Sequence, residues 1–263
     1  MDRVFISIGG INIYWYSVLI VVSLVIGIFF SVKEAKKNGL TKEFITDLIF
    51  YIIPVAILGA RIYYVIFNFS AFKDNLIDIF KIWEGGLAIY GSVIAAIIFI
   101  IFYCKKKNKN ILLTLDTLTP YLILGQSICR WGNFINKEAH GALTTYEQLK
   151  SMHIPNFIIE GMYINGAYYI PTFLYESLWC LLGFILLLII RNKNKYKNTG
   201  LLLFIYFIWS GVGRFFIEGL RTDSLYLGTL RISQIISIIL ILIGIIGITF
   251  TIIRGDKKCK NIK

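Results

Sequence analysis

The run LRISQIISIILILIGIIGITFTII, residues 230–253, decides the structural class of this chain. Its one charged residue, Arg231, lies near the beginning, and the rest is apolar or weakly polar. A helix needs about 20 predominantly apolar residues to cross the hydrocarbon core of a bilayer. The run meets that length and therefore predicts a membrane-spanning helix.

Six further apolar runs occupy most of the remaining chain. They are residues 12–32, 44–68, 87–104, 111–131, 172–190 and 199–217. Of the 263 residues, 57% are hydrophobic and only 16% are charged, whereas soluble domains carry about a quarter charged residues. We therefore expect an all-α polytopic membrane protein, a bundle of about seven spans that forms a single domain over residues 1–263.

The net charge of +12 is concentrated in alternate loops. The dense clusters are Lys33, Lys36, Lys37 and Lys42; Lys105, Lys106, Lys107 and Lys109; Arg191, Lys193, Lys195 and Lys197; and Arg254, Lys257, Lys258, Lys260 and Lys263. Short clusters between spans argue against a nucleic-acid partner. Positively charged loops stay in the cytoplasm, so the pattern predicts an outer N-terminus, seven spans and a cytoplasmic C-terminus.

Two segments lie on the predicted outer face. Residues 132–171 form the longest loop region, and the stretch 163–169 predicts a hairpin with Asn165 and Gly166 at the turn. The shorter segment 69–86 fits either an amphipathic helix in the membrane interface or a solvated connector.

Six ionisable residues lie inside or at the edge of the spans, where a charge is expensive and usually marks a functional cavity. They are Arg61, Arg130, Glu176, Arg214, Glu218 and Arg231. In the predicted orientation the four arginines reach a similar depth near the outer surface. Arginine suits a phosphate or a carboxylate, so the cluster predicts an anion site; arginines that only snorkel to the interface are the alternative.

Residues 214–221 contain a possible charge ladder. Arg214 and Glu218 are four residues apart and face each other on a helix. If the helix continues, Arg221 lies on the same side, and the ladder orients it toward the cavity.

Three motifs combine glycines with polar side chains. The first is GQSICRWGNFINKEAHG, residues 125–141, in which Arg130 offers a planar fork and Asn133 and Asn136 offer neutral donors and acceptors. It predicts either an anion site at an exit loop or a hydrogen-bonded loop alone. The others are WEGGLAIYG, residues 83–91, and PTFLYES, residues 171–177.

The cysteines and histidines predict no metal site and no cofactor. Cys104, Cys129, Cys180 and Cys259 show no paired or metal-ligand spacing. His140 and His153 are too few for a zinc site.

Together these motifs resemble the bacterial prolipoprotein diacylglyceryl transferase family over nearly the whole chain. IYWYS (13–17), GARIYYVIFN (59–68) and GVGRFFIEGLRTDS (211–224) add to the resemblance. It implies a multi-pass enzyme of the bacterial inner or plasma membrane. Its substrates would be phosphatidylglycerol and prolipoprotein signal peptides with a lipobox cysteine; its products would be a thioether-linked lipid and glycerol 1-phosphate.

The resemblance also implies roles for individual residues. Arg130 and Arg221 match two essential arginines of the family, and Tyr16 matches a functional tyrosine of the first helix. Asn133, Glu138 and Gly141 match further important positions. We also expect Asn136, Arg61, Arg214 and Glu218 to contribute to substrate binding.

Tyr90 is a departure from the family pattern, because many members have a histidine at this position. Ser92 and Ile170 also replace residues that are common in the family. We expect Tyr90 to orient substrate rather than to act as a histidine-like base. The thiol proton could pass to Tyr90, Tyr16 or Glu138, or the arginines could stabilise a thiolate; the sequence leaves these alternatives open.

Two other classes of protein would also place arginines in a membrane. A transporter or flippase for an anionic lipid or solute predicts polar residues along a path across both leaflets. A non-catalytic receptor for anionic lipid or signal peptides predicts the same site without a product.

Overall fold

The structure is a computed structural model that describes residues 3–9, 11–73, 75–193, 199–222, 226–227 and 230–260. The chain divides into two compact units. The larger unit contains Met1–Phe30 and Leu115–Lys263, and the smaller unit contains Ser31–Thr114. A single functional domain over residues 1–263 stays a prediction.

Seven long helices dominate the described residues. They are α1 (Trp15–Lys37), α2 (Lys42–Phe67), α3 (Ile89–Lys106), α4 (Ile111–Asn136), α7 (Thr172–Lys193), α8 (Leu201–Leu220) and α9 (Ile232–Lys260), with short helices α5 (Tyr146–Ser151) and α6 (Asn156–Gly161) between α4 and α7. Each long helix is apolar and long enough to cross a membrane. The prediction of an all-α polytopic membrane protein with seven spans is confirmed.

The first predicted span begins three residues too early, because residues 12–14 belong to a strand. Strands β1 (Val4–Ile8) and β2 (Ile11–Tyr14) form an antiparallel hairpin. Gly9 lies at the turn with φ +57°, a left-handed conformation that glycine adopts without strain. The Trp15 N–H donates to the Arg3 carbonyl (3.1 Å), which continues the hydrogen bonding of the hairpin. Helix α1 therefore begins only where the pairing of β1 with β2 ends.

In the smaller unit, helices α2 and α3 approach each other at a pair of glycines. A Cβ on Gly59 would lie 2.7 Å from the Gly91 carbonyl oxygen, and a Cβ on Gly91 would meet the Gly59 carbonyl in return. Small residues at such a crossing let helix backbones pack closely in a membrane.

The segment between α2 and α3 is not the amphipathic α-helix that was one of its two interpretations. It forms three short 3₁₀ helices, Phe69–Phe72, Leu76–Phe80 and Ile82–Glu84. Gly85 and Gly86 follow with φ +93° and +69°, which no continuous helix accommodates.

In the larger unit, the loop region 132–171 builds a small core of its own. The predicted hairpin is confirmed: β4 (Tyr163–Ile164) pairs with β5 (Ala167–Tyr169), and Asn165 and Gly166 have positive φ angles at the turn. Strand β3 (Leu143–Thr144) pairs with the other edge of β5. Apolar residues of this region pack on the ends of α4 and α7; they are Phe134, Leu149, Ile154, Ile158, Ile159, Met162, Ile164 and Phe173.

Helices α7 and α8 are joined by a stacked pair of tryptophans. The rings of Trp179 and Trp209 lie 4.4 Å apart, and each indole N–H donates to the other residue's carbonyl at 2.9 Å. Gly213 provides the space for Trp179, since a Cβ there would lie 2.1 Å from the indole nitrogen. The partly buried indoles thus satisfy their polar atoms across the helix pair.

We expect Gly213→Ala to destabilise the protein, because the new methyl group would displace a ring that is stacked and hydrogen-bonded. Overpacking of this kind costs about 1–3 kcal/mol. Gly27→Ala is the matched control, since no atom lies within 4 Å of a Cβ at that helical position. The melting temperature in detergent should fall for Gly213→Ala and stay level or rise for Gly27→Ala; equal shifts would refute the packing role.

Candidate active site

The carboxylate of Glu176, near the start of α7, connects two arginines from different helices. Its Oε2 forms an ion pair with Nε of Arg130 on α4 at 2.7 Å, and its Oε1 accepts the Nη1–H of Arg214 on α8 at 2.8 Å. The Glu176 side chain is only 7% exposed, whereas Arg130 and Arg214 are 30% and 33% exposed. A buried carboxylate therefore orients two guanidinium groups whose far sides face outward.

A second carboxylate lies beside this group. Arg214 Nη2 is 2.9 Å from Oε2 of Glu218, one helical turn later on α8, as predicted for an i,i+4 pair. That oxygen has no aligned hydrogen-bond donor among the described residues, so the attraction is one between charges rather than a hydrogen bond. Arg231 Nη1 donates to the Glu218 backbone carbonyl.

The cluster therefore contains three guanidiniums and two carboxylates at one end of the larger unit. Arg214 contacts carboxylates through both of its terminal nitrogens. The contact of Arg130 with Glu176 is made by Nε, and its Nη1 and Nη2 donate no hydrogen bond to the residues that the structure describes. A guanidinium with both terminal nitrogens available suits a bidentate phosphate contact, so Arg130 is the side chain best placed to bind an anion.

The end of α4 beyond Arg130 is held by close packing and by one carboxylate. A Cβ on Gly132 would lie 2.3 Å from the Tyr16 ring, which places that tyrosine directly on α4. Oε1 of Glu138 accepts the side-chain amides of Asn133 (2.9 Å) and Asn136 (3.3 Å). The structure thus brings Tyr16, Asn133, Asn136 and Glu138 together at the end of α4 that carries Arg130.

Gly141 and Arg221 meet, but not in the way the charge ladder predicts. Helix α8 ends at Leu220, and Arg221 is extended with φ −80° and ψ 147°. The expectation that Arg221 continues the helical ladder of Arg214 and Glu218 is wrong, because the backbone leaves the helix before it. Arg221 instead forms a β-bridge with Gly141, where a Cβ would lie 3.1 Å from the Leu220 carbonyl oxygen.

Arg61 lies in the smaller unit and is saturated by backbone carbonyls. Its nitrogens donate to Ile79 (2.8 Å), Asp78 (2.6 Å), Gly85 (2.8 Å) and Gly86 (3.1 Å). It therefore fastens the segment after α2 to that helix. A contribution of Arg61 to substrate binding stays a prediction.

Tyr90, on the first turn of α3, also belongs to the smaller unit. Its side chain is 43% exposed, so the phenol is accessible. Its role as a group that orients substrate stays a prediction.

The chain matches the family described as prolipoprotein diacylglyceryl transferase over residues 3–250. A protein named phosphatidylglycerol–prolipoprotein diacylglyceryl transferase from Ligilactobacillus salivarius is 47% identical over 250 residues, which cover 95% of this chain and 93% of that protein. A protein of the same name from Listeria monocytogenes is 51% identical over 245 residues, or 93% of this chain and 88% of that protein. A further protein of this name, from Bacillus cereus strain G9842, is 46% identical over 254 residues, or 97% of this chain and 92% of that protein.

This chain belongs to the prolipoprotein diacylglyceryl transferase family. The resemblance noted in its motifs is thereby confirmed. In this member of the family, the motif residues around Arg130 form one hydrogen-bonded group with Glu138, and Glu176 connects Arg130 to Arg214.

Glu176 was predicted only as a charge within a span, whereas in the structure its carboxylate contacts both Arg130 and Arg214. The sequence could have indicated this contact, because a glutamate one turn inside a membrane span needs a cationic partner. The hydroxyl pair Ser127 and Ser177, described below, gave no signal, because serine is common in membrane helices.

Proposed function

We propose that this protein transfers the diacylglyceryl group of phosphatidylglycerol to the thiol of the lipobox cysteine of a prolipoprotein. The sulfur attacks the glyceryl carbon that carries the phosphate ester. A C–S thioether bond forms, the C–O bond to phosphate breaks, and glycerol 1-phosphate leaves with the bonding electron pair. The observation that supports this most directly is the pair of arginines oriented by Glu176 in a chain of this family.

Arg130 has the geometry to bind the departing phosphate. Nε lies 2.7 Å from Glu176 Oε2, and neither Nη1 nor Nη2 donates a hydrogen bond to another described residue, so both can donate to a phosphate. Negative charge grows on the phosphate oxygen as the C–O bond breaks, and a preorganised cation stabilises that charge more in the transition state than in the ground state. Arg214, held by two carboxylates, maintains the position of Glu176 and adds positive charge.

The thiol of the peptide must lose its proton before or during attack. The two alternatives from the sequence stay open: proton transfer to Tyr16, Tyr90 or Glu138, or a thiolate stabilised by the positive charge of the arginines. Glu138 already accepts two amide hydrogen bonds. If the arginines stabilise a thiolate instead, the thiol proton passes to solvent at the exposed side of the cluster.

The proposed reaction is tested by measuring the release of its second product, glycerol 1-phosphate. Purified protein, phosphatidylglycerol vesicles and a lipobox peptide should release glycerol phosphate in an amount equal to the peptide consumed. A peptide with serine in place of the lipobox cysteine should release none, because its hydroxyl is a far weaker nucleophile. Release that is independent of the cysteine would indicate a lipase and would contradict the transferase proposal.

The site end of the larger unit should face away from the cytoplasm, in the bacterial inner or plasma membrane. The lysine clusters motivate this orientation. In a chain whose own cysteines are replaced, single cysteines placed within 137–165 should react with an impermeant maleimide in intact cells. Cysteines within 257–263 should react only after permeabilisation, and the reverse pattern would refute the orientation.

Tyr90→Phe should lower the transfer rate roughly 5–150-fold, which corresponds to an orienting hydrogen bond of about 1–3 kcal/mol. The substitution removes the hydroxyl and keeps the ring. Tyr90→His should retain activity, since related chains carry histidine in this motif. A complete loss in Tyr90→Phe with unchanged lipid binding would instead identify Tyr90 as the base.

A further inference from the structure

Two buried serines form a reciprocal contact between α4 and α7. The Ser127 hydroxyl donates to the Ser177 carbonyl at 2.8 Å, and the Ser177 hydroxyl donates to the Ser127 carbonyl at 3.0 Å. The two hydroxyl oxygens lie 3.1 Å apart. Both residues are 6% exposed, so no solvent competes for these bonds.

This contact fixes the separation of the two helices. A side chain as short as serine reaches a carbonyl of a neighbouring helix only when the backbones approach closely, and small residues permit that approach. Because each carbonyl also belongs to its own helix, the pair restrains both the distance and the axial register of α4 against α7.

The serine pair lies within one helical turn of the ion pair of the site on both helices. Ser127 precedes Arg130 by three residues and therefore shares its helix face, and Ser177 adjoins Glu176. The 2.7 Å contact from Arg130 Nε to Glu176 Oε2 depends on the same two backbones. A shift of either helix at the serines would move the guanidinium or its carboxylate partner.

We propose that Ser127 and Ser177 are positioning residues, which place Arg130 so that its terminal nitrogens meet the departing phosphate. The inference rests on the proposed transferase function. Misplacement of a catalytic group by about 1 Å can lower a rate by roughly 10²-fold. The hydroxyls act through Arg130, so their effect belongs to the chemical step rather than to the affinity for lipid.

The test compares Ser127→Ala, Ser177→Ala and the double variant with Ser237→Ala as control. Ser237 is also buried, but its hydroxyl donates to the Ser233 carbonyl of its own helix α9. We expect the double variant to lose about tenfold in kcat, within the range for a misplaced group, with KM for phosphatidylglycerol nearly unchanged. Each single variant keeps one of the two bonds and should lose less. Ser237→Ala should match the wild-type kcat.

A second comparison separates positioning from general stability. In a Glu176→Asp background the ion pair is already displaced, so removing both serine hydroxyls should lower kcat by less than about twofold, as expected for coupled residues. The same tenfold loss in that background, or an unchanged kcat in the wild-type background, would overturn the positioning role.

The two proposals fail in distinguishable ways. If the wild-type protein forms no peptide adduct, the transferase proposal and the positioning role both fall. If the wild-type protein is active and the serine variants match Ser237→Ala, only the positioning role falls. Should the double variant be unfolded, the single variants measured in both backgrounds decide the question.

Discussion

Arg130→Ala should reduce transfer by on the order of 10²–10³-fold, the loss that follows removal of one preorganised donor to a developing oxyanion. The guanidinium offers both terminal nitrogens to the phosphate because Glu176 holds its Nε. Arg130→Lys should recover little of this loss, since a compact ammonium cannot reproduce the planar fork. The measurement is the initial rate of adduct formation by purified protein in phosphatidylglycerol vesicles.

Arg191→Ala is the matched control for that variant. Arg191 lies near the far end of α7, about 22 Å along the helix from Glu176 at 1.5 Å per residue, and it donates to the Tyr121 hydroxyl at 2.8 Å. Its loss should affect stability more than the transfer rate. Near-normal transfer by Arg130→Ala would mean that Arg130 only anchors the end of α4.

Glu176→Gln should lower the transfer rate by roughly 100-fold, although it preserves the shape of the side chain. Glutamine has one acceptor oxygen, so either Arg130 or Arg214 would face an amide donor. Hydrogen bonds to charged groups contribute about 1.5–3 kcal/mol each, and about 2.7 kcal/mol corresponds to 100-fold. The same variant also leaves the guanidiniums without a buried counter-charge, so we expect lower thermal stability.

The control for Glu176→Gln is Glu160→Gln, an exposed carboxylate on α6. Rates and melting temperatures of that variant should match the wild-type protein. A Glu176→Gln variant that melts earlier but transfers at the wild-type rate would restrict Glu176 to a structural role. It would also remove the main support for the common orientation of Arg130 and Arg214.

The spans and the hairpin at residues 163–169 could be predicted because they depend on local patterns. Long apolar runs determine where helices lie, and Asn165 with Gly166 determines a tight turn. The first span was predicted to begin at residue 12, whereas helix α1 begins at Trp15, and the reason for this difference is visible in the sequence. Residues 4–14 are as apolar as a span, but Gly9 and Gly10 interrupt them and favour a hairpin turn.

The site was predicted less completely, since its contacts depend on tertiary packing. The composition of the motifs identified Arg130, Asn133 and Asn136 as candidates and the family resemblance added Glu138, yet no spacing rule shows that Glu138 accepts from both amides. In contrast, Arg61 looks from the sequence like another anion-binding arginine. Its four carbonyl partners follow only from the path of residues 78–86.

Arg221 shows the limit of helical periodicity as evidence. The spacing from Glu218 predicts a shared face only if the helix persists. The chain instead turns extended at Arg221 and bridges to Gly141. Its assignment as a catalytic arginine therefore stays a prediction, whereas Arg214 is the arginine that shares a carboxylate with Arg130.

The most direct test of the account is a mass measurement on the acceptor peptide. Purified protein should convert a lipobox peptide, in vesicles of phosphatidylglycerol, into a species heavier by one diacylglyceryl group attached at the cysteine sulfur. A transporter or a non-catalytic receptor would leave the peptide mass unchanged. The account predicts the thioether adduct with the wild-type protein and its near absence with Arg130→Ala; an unmodified peptide with active-site residues intact would contradict it.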